Sequence, residues 1–222
     1  MTTRLGGVSQ GPYASLNLGS HVGDDAAAVA ANRAQLRSML PAEPVWLNQV
    51  HGTQVIRADT ASGVPDADAS FTRIPNTVCA VLTADCLPVL FCARDGSAVA
   101  AAHAGWRGLA AGVLEATLNA MQVPPAEVMV WMGAAIGPDA FEVGAEVRDT
   151  FIASHPSAAS AFQPHQPQWL ADIYTLARIR LTACGVRAIY GGGLCTYTDA
   201  ARFYSYRRDG VTGRMATLIW LD

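Results

Sequence analysis

Two short stretches almost free of charge, residues 77–83 (TVCAVLT) and 97–103 (SAVAAAH), limit what this chain can fold into. Their apolar content suits central strands covered on both faces, although only the first is notably β-branched. The run from Ala98 to Ala104 is too short to span a bilayer, and helix-like stretches such as 106–121 carry Arg107 and Glu115, so no membrane segment is expected. With 222 residues, 51% hydrophobic and only 15% charged, the chain can bury one sizeable core, and residues 1–222 are expected to form a single domain.

Strand-like and helix-like pieces alternate around those runs with short Gly/Pro punctuation, which predicts a layered α/β or α+β fold. Residues 1–23, rich in Gly, Ser and Asn, read as an irregular arm. Asp24 or Asp25 then caps a predicted helix over Ala26 to Met39, with Val29, Leu36 and Leu40 as its apolar stripe. Strands are predicted at 45–50, 54–58, 77–83, 87–92, 97–103, 128–133, 187–191, 202–206 and 214–220, and further helices at 107–121, 143–154 and 169–184.

Charge narrows the chemistry. A net charge of -3 gives no basic footprint for nucleic acid or an anionic membrane surface, so a small-molecule substrate is expected. All 15 basic residues are arginine, which excludes a Schiff-base lysine, a pyridoxal-phosphate lysine and the lysine of a phosphate-binding P-loop. Arginine must carry any anion recognition. The five cysteines (79, 86, 92, 184, 195) contain no CxxC pair, and no charged-then-apolar leader opens the chain, so reduced thiols and a cytoplasmic location are expected.

Three residues at or near strand ends stand out: His51 in VWLNQVHG, Cys86 in VLTADCLPV and His103 in AVAAAHAGWRG. If those ends meet, they form a His2Cys site with one coordination position open, the arrangement of a catalytic zinc. Each residue also has a plainer reading: His51 as a turn residue before Gly52, Cys86 as a small buried hydrophobe, His103 as a core histidine. Cys86 differs from Cys79 and Cys92 in lying at the polar break Ala84-Asp85. The alanines before His103 and Gly105 after it allow backbone or ligand to approach closely. Separations of 35 and 17 residues are no standard zinc spacing, so composition alone does not decide.

The segments TRLGGVSQGPYASLNLGSHVGDD, NQVHGTQV, DADAS, TADCLPVLFC, AHAGWRGLAAGV, GAAIGPDAFEV, GGGLCTYTD and FYSYRRDG resemble, in order, the YfiH/YlmD family. These are the laccase-domain or multicopper polyphenol oxidase proteins, later described as purine nucleoside phosphorylases. The resemblance places the family's metal ligands on His51, Cys86 and His103. It implies a cytoplasmic enzyme that phosphorolyses adenosine, inosine, guanosine and methylthioadenosine, and that can deaminate adenosine. Some members resemble peptidoglycan editing factors acting on cell-wall precursors. The implied fold is a layered sandwich with a mixed sheet flanked by helices, distantly similar to a toxin deamidase that works through a Cys-His pair. Relatives usually carry an additional segment before TRLGG.

Site candidates follow. Zinc is the expected cofactor, with copper as an alternative occupant of a nitrogen and sulfur site. Catalysis is expected of Cys86, His103, His51 and Asp85, the last as proton donor or as the group that orients a ligand histidine. Arg4, Arg207 and Arg208 sit in family motifs and are candidates for phosphate, with alternation along the predicted strand letting only one of the last two face the site. Arg107 reads as a surface or helix-start charge. Asn48 and Gln49 can bond a base or ribose edge, and Tyr204 and Tyr206, on one strand face, can stack on a purine. A metal-free alternative makes Cys86 a nucleophile activated by His103, giving a hydrolase or amidase. A third reading is a metal-binding regulator or interaction module. Five histidines in all are too few for the copper set of a true laccase.

Overall fold

A computed structural model describes residues 1–222. In chain order the elements are α1 (Ala26–Arg37), β1 (Val55–Arg57), β2 (Ala69–Thr72), β3 (Cys79–Thr83), β4 (Leu87–Ala93), β5 (Val99–Ala104), α2 (Trp106–Ala111), α3 (Val113–Met121), β6 (Val128–Met132), β7 (Glu142–Val143), α4 (Ala145–Ser154), β8 (Phe162–His165), β9 (Gln168–Ala171), α5 (Ile173–Ala183), β10 (Ala188–Gly191), α6 (Tyr206–Asp209) and β11 (Met215–Ile219).

The fold is mixed α/β. Six strands form the main sheet in the order β1-β2-β5-β4-β6-β10, parallel at both edges and antiparallel between. Helices cover one face: Val89, Phe91, Ala100, Ala102 and Val130 pack with Leu114, Leu118, Leu176 and Leu181 from α3 and α5. β3 and β11 form a separate antiparallel ribbon on the other face. Alternation along β3 turns Cys79 and Val81 toward Ala101 of β5, and Ala80 and Leu82 toward Leu36 of α1 and Trp46. Every residue of β3 is therefore buried. Residues 77–83 are covered on both faces as expected, but the strand forms a ladder with β11 alone, apart from one isolated bridge to Val45, and lies outside the main sheet. β5 is one of the two central strands, beside β4, and its alanines leave room for layers on both sides.

Several boundaries differ from expectation for local reasons. Residues 45–50 form only isolated bridges, Val45 to Cys79 and Asn48 to Asp66. The helix predicted over 107–121 breaks at Gly112, whose φ of 106° suits glycine and whose N–H caps α2 through the Gly108 carbonyl. The helix predicted from 169 starts only at Ile173, because the Asp172 carboxylate accepts the N–H groups of Tyr174 and Thr175, and the preceding residues belong to β9. Residues 202–206 are not a strand: α6 starts at Tyr206, capped by the Ser205 hydroxyl. Tyr204 and Tyr206 accordingly share no strand face. Tyr204 is buried, with its hydroxyl donating to the Tyr13 carbonyl, whereas Tyr206 is exposed. No helix is long and apolar enough to cross a membrane.

Candidate metal centre and active site

Three segments meet at the open end of β5. Pairing of Leu87 with Ala104 and Pro88 with His103 sets the β3–β4 turn, with Cys86, beside the end of β5. Within that turn Asp85 has φ of 87°, which bends the chain sharply between the two strands. His51 arrives from the irregular span before β1, itself at φ 59°. The glycines of AHAGWRG permit the approach. A Cβ on Gly105 would lie 2.8 Å from His51 Cδ2 and 3.1 Å from Cys86 Sγ, and one on Gly108 would lie 2.8 Å from the Gly52 carbonyl oxygen.

The donor atoms of His51, Cys86 and His103 lie within 4.8 Å of one another. Cys86 Sγ is 3.8 Å from His51 Nε2, close to the roughly 3.5 Å edge that a tetrahedral zinc imposes between sulfur and nitrogen. Asp68 fixes the histidines. Its carboxylate accepts the backbone N–H of His51 (3.0 Å) and Gly52 (2.6 Å) and pairs with His103 Nδ1 (2.8 Å), while its carbonyl accepts the His103 N–H (2.7 Å). With Nδ1 held by a carboxylate, His103 is left with Nε2 to offer a metal, and the carboxylate fixes the ring's orientation as it does behind metal-binding histidines. Two nitrogens and a thiol in this geometry fit a metal ion.

Electrostatics agree with a ligand role for Cys86. Burial pushes its thiol up, but the neighbouring charge of His103 and hydrogen bonds from both imidazoles outweigh this and bring it down to about 6. For His103 burial acts downward, and the Cys86 thiolate and Asp68 carry it up to about 9. Burial also works against the Asp68 carboxylate, yet the bonds from His103 and Gly52 hold it below the ordinary carboxylate range.

Two cavities adjoin this cluster and share His51, Ala84, Cys86 and Tyr206. One, of about 260 Å³, is walled by Trp106, Ile136, Phe141 and Ile173, with Asp85, Arg107 and Arg207 among its polar groups. The other, of about 350 Å³, lies toward the ribbon and is lined by His21, Gln49, Thr83, His103 and Arg214.

The remaining sequence candidates divide between cavity and scaffold. Asp85 lines the apolar cavity, but its carboxylate accepts the Thr196 hydroxyl and the Arg207 N–H, both at 2.6 Å, so the histidine-orienting role belongs to Asp68. Arg207 and Arg208 lie on a helix, not a strand. Arg207 lines the cavity with its guanidinium over Phe141 and donates to the Glu142 carbonyl; Arg208 donates to the carbonyls of Thr196, Tyr197 and Phe203. Arg107, read from sequence as a helix-start charge, also lines the cavity. Arg4 lies away from both cavities: it donates to the carbonyls of Ala14 and Ala200 and stacks on Tyr204. Asn48 is exposed and donates to Asp66, while Gln49 reaches the polar cavity with both amide ends bonded to the Leu82 backbone. Asp68, Thr83 and Arg214 carry no assignment from sequence reasoning. Asp68 and Thr83 had a signal, their places in DADAS and TADCLPVLFC; Arg214 had none.

Comparison with known proteins shows the family. A family model described as multi-copper polyphenol oxidoreductase laccase matches residues 1–222. The chain is 60% identical to a purine nucleoside phosphorylase of Pseudomonas aeruginosa, PA4543, over all of this chain and 92% of the relative. It is 56% identical to the purine nucleoside phosphorylase YfiH of Escherichia coli, over 99% of this chain and 92% of the relative. The crystal structure of Neisseria meningitidis protein NMB0706 superposes with a TM-score of 0.97 at 56% identity, covering 100% of this chain and 93% of that one. That of YlmD from Geobacillus stearothermophilus gives 0.93 at 35% identity, covering 99% and 90%. The chain therefore belongs to the laccase-like YfiH family.

Proposed function

We propose that this protein is a zinc-dependent purine nucleoside phosphorylase of the cytoplasm, with deamination of adenosine as a second reaction of the same centre. The observation that carries the reading is the convergence of two imidazoles and a thiol at the junction of an apolar cavity with a polar one. The names of the relatives in Pseudomonas and Escherichia support it. Bound zinc would supply Lewis acidity and lower the pKa of water toward roughly 7.

The chain's own residues do the rest. Trp106, Ile136 and Phe141 enclose a surface suited to a purine, with Tyr206 at its edge. Asp85 ties α6 to the β3–β4 turn and so holds Tyr206 and Arg207 against that cavity. In phosphorolysis a phosphate oxygen bonds to C1′ of the ribose, the C1′–N9 bond breaks, its electron pair leaves with the purine, and a proton brought by phosphate ends on the base. Fixed placement of both reactants lowers the barrier to such a displacement by removing the entropy of bringing them together. In deamination, water replaces the 6-amino group of adenosine and ammonia leaves.

Phosphate-dependent release of base from adenosine and inosine, measured on metal-analysed protein beside Cys86→Ala, tests the reading. Activity is expected to scale with zinc content and to fall at least 100-fold in the variant. Equal rates in zinc-free and zinc-replete protein would discard it.

A second reading draws on the Cys86–His103–Asp68 alignment and the thiol brought down to about 6. It makes the protein a thiol hydrolase or amidase of cell-wall precursors, in the manner of the Cys-His toxin deamidases. Activity that survives chelation and is abolished by iodoacetamide, with alkylation half-maximal near pH 6, would favour it. Copper-dependent oxidation has less support: His51, Cys86 and His103 are the single metal-ligating cluster, and a multicopper oxidase needs more imidazoles than five histidines provide.

A further inference from the structure

We infer that the polar cavity lined by Arg214, Thr83 and His21 is an oxyanion subsite that takes inorganic phosphate. None of the residues lining this cavity carries a carboxylate. Arg214 stands just before β11, and its stem lies along Gly19, where a Cβ would come within 2.8 Å of the arginine Cγ. Nη1 donates to the carbonyls of Thr212 and Gly213, both at 3.0 Å, which fixes the plane of the guanidinium. Nε and Nη2 have no acceptor in the protein and remain available to an anion, in the forked geometry that suits phosphate.

Thr83 is the independent observation. Thr83 is among the residues that line the same cavity and is 1% exposed, and its Oγ1, just beneath that lining, has no hydrogen-bond partner. A buried hydroxyl without a partner costs stability and asks for a ligand that completes it. His21 adds a third polar group. Burial, and then the charges of Arg214 and Arg33, keep its imidazole toward the neutral form, which still offers an N–H. These are not the arginines that sequence position favoured. Arg4 and Arg208 are bonded to main-chain carbonyls, and Arg207 lies on the apolar side.

The inference rests on the phosphorolysis reading for its place in a reaction, though not for the binding itself. The two cavities meet at His51, Cys86 and Tyr206, so a base in one and phosphate in the other place C1′ between them. A phosphate oxygen then lies on the side of C1′ away from the departing purine, as the displacement requires.

Titration of the zinc-analysed protein with inorganic phosphate by calorimetry tests the subsite. Arg214→Gln is expected to raise the phosphate Kd about tenfold or more at unchanged zinc content. Thr83→Val is expected to raise it about threefold while leaving the thermal midpoint equal or higher, because the lost hydroxyl has no partner in the free protein. In turnover, both raise KM for phosphate and leave KM for the nucleoside unchanged. Absence of phosphate binding in the wild type, or equal Kd values in wild type and Thr83→Val, overturns the proposal even if Arg214→Gln fails to fold. Base release that ignores phosphate, with binding still weakened in the variants, rejects the phosphorolysis reading and leaves the subsite standing.

Discussion

Asp68 illustrates how much one side chain organises. Its two oxygens serve three main-chain donors of the His51 loop and the imidazole of His103, so it holds two of the converging histidines, from segments far apart in the chain. Asn in its place offers one acceptor oxygen and sets an NH₂ against N–H groups. Asp68→Asn is expected to lower zinc affinity about 10- to 100-fold and to cost about 2 kcal/mol of stability at pH 7, measured by metal competition and urea unfolding. Because the folded carboxyl is held below its ordinary range, its contribution is fully present above the unfolded carboxylate pKa of about 3.9 and fades as pH falls through the folded value. The gap between wild type and variant should therefore narrow below about pH 4. Of the residues around this centre, Cys86 and His103 were legible from their positions at strand ends, and His51 from the NQVHG segment although no strand ends there. Asp68 was not, since nothing local tells a buried carboxylate that orients a histidine from one that caps a turn.

Among the elements, α2 brings Trp106 and Arg107 to the apolar cavity, and small residues make its approach possible. Gly108 lies so near the Gly52 carbonyl that a Cβ there would meet the oxygen at 2.8 Å. Gly108→Ala must push α2 from the His51 loop. It is expected to cost about 1–3 kcal/mol and to impair zinc retention, read by thermal unfolding and metal analysis. A loss confined to helix stability, with zinc binding intact, would mean that the loop moves freely with the helix. Apolar runs and Gly/Pro breaks marked most strands and helices in the sequence. The failures were informative: Gly112 divided a continuous helical pattern, Asp172 delayed α5, and Ser205 started a helix where alternation read a strand. In each case one capping or left-handed residue outweighed the periodicity around it.

On the scale of the whole molecule, the centre ties together the span before β1, the β3–β4 turn and the end of β5, pieces that belong to different layers. A metal that binds only the folded form must therefore stabilise the entire structure. At free zinc 100-fold above its Kd the gain is about 2.7 kcal/mol, which for a chain of this length corresponds to a rise of about 5–10 °C in thermal midpoint. Chelation should remove that increment from the wild type, and Cys86→Ala should show none to remove. The chain's own pattern determined that a mixed α/β fold would form around an alanine-rich strand, and that Cys86 and His103 would stand at strand ends, because side-chain periodicity reports burial directly; His51 sits instead in an irregular span. Tertiary structure alone decided that β3 leaves the main sheet for a ribbon, that Asp68 backs His103, and that Arg214 and Thr83 face one polar cavity. Burial does not specify a partner, and these pairings form across layers between residues remote in sequence.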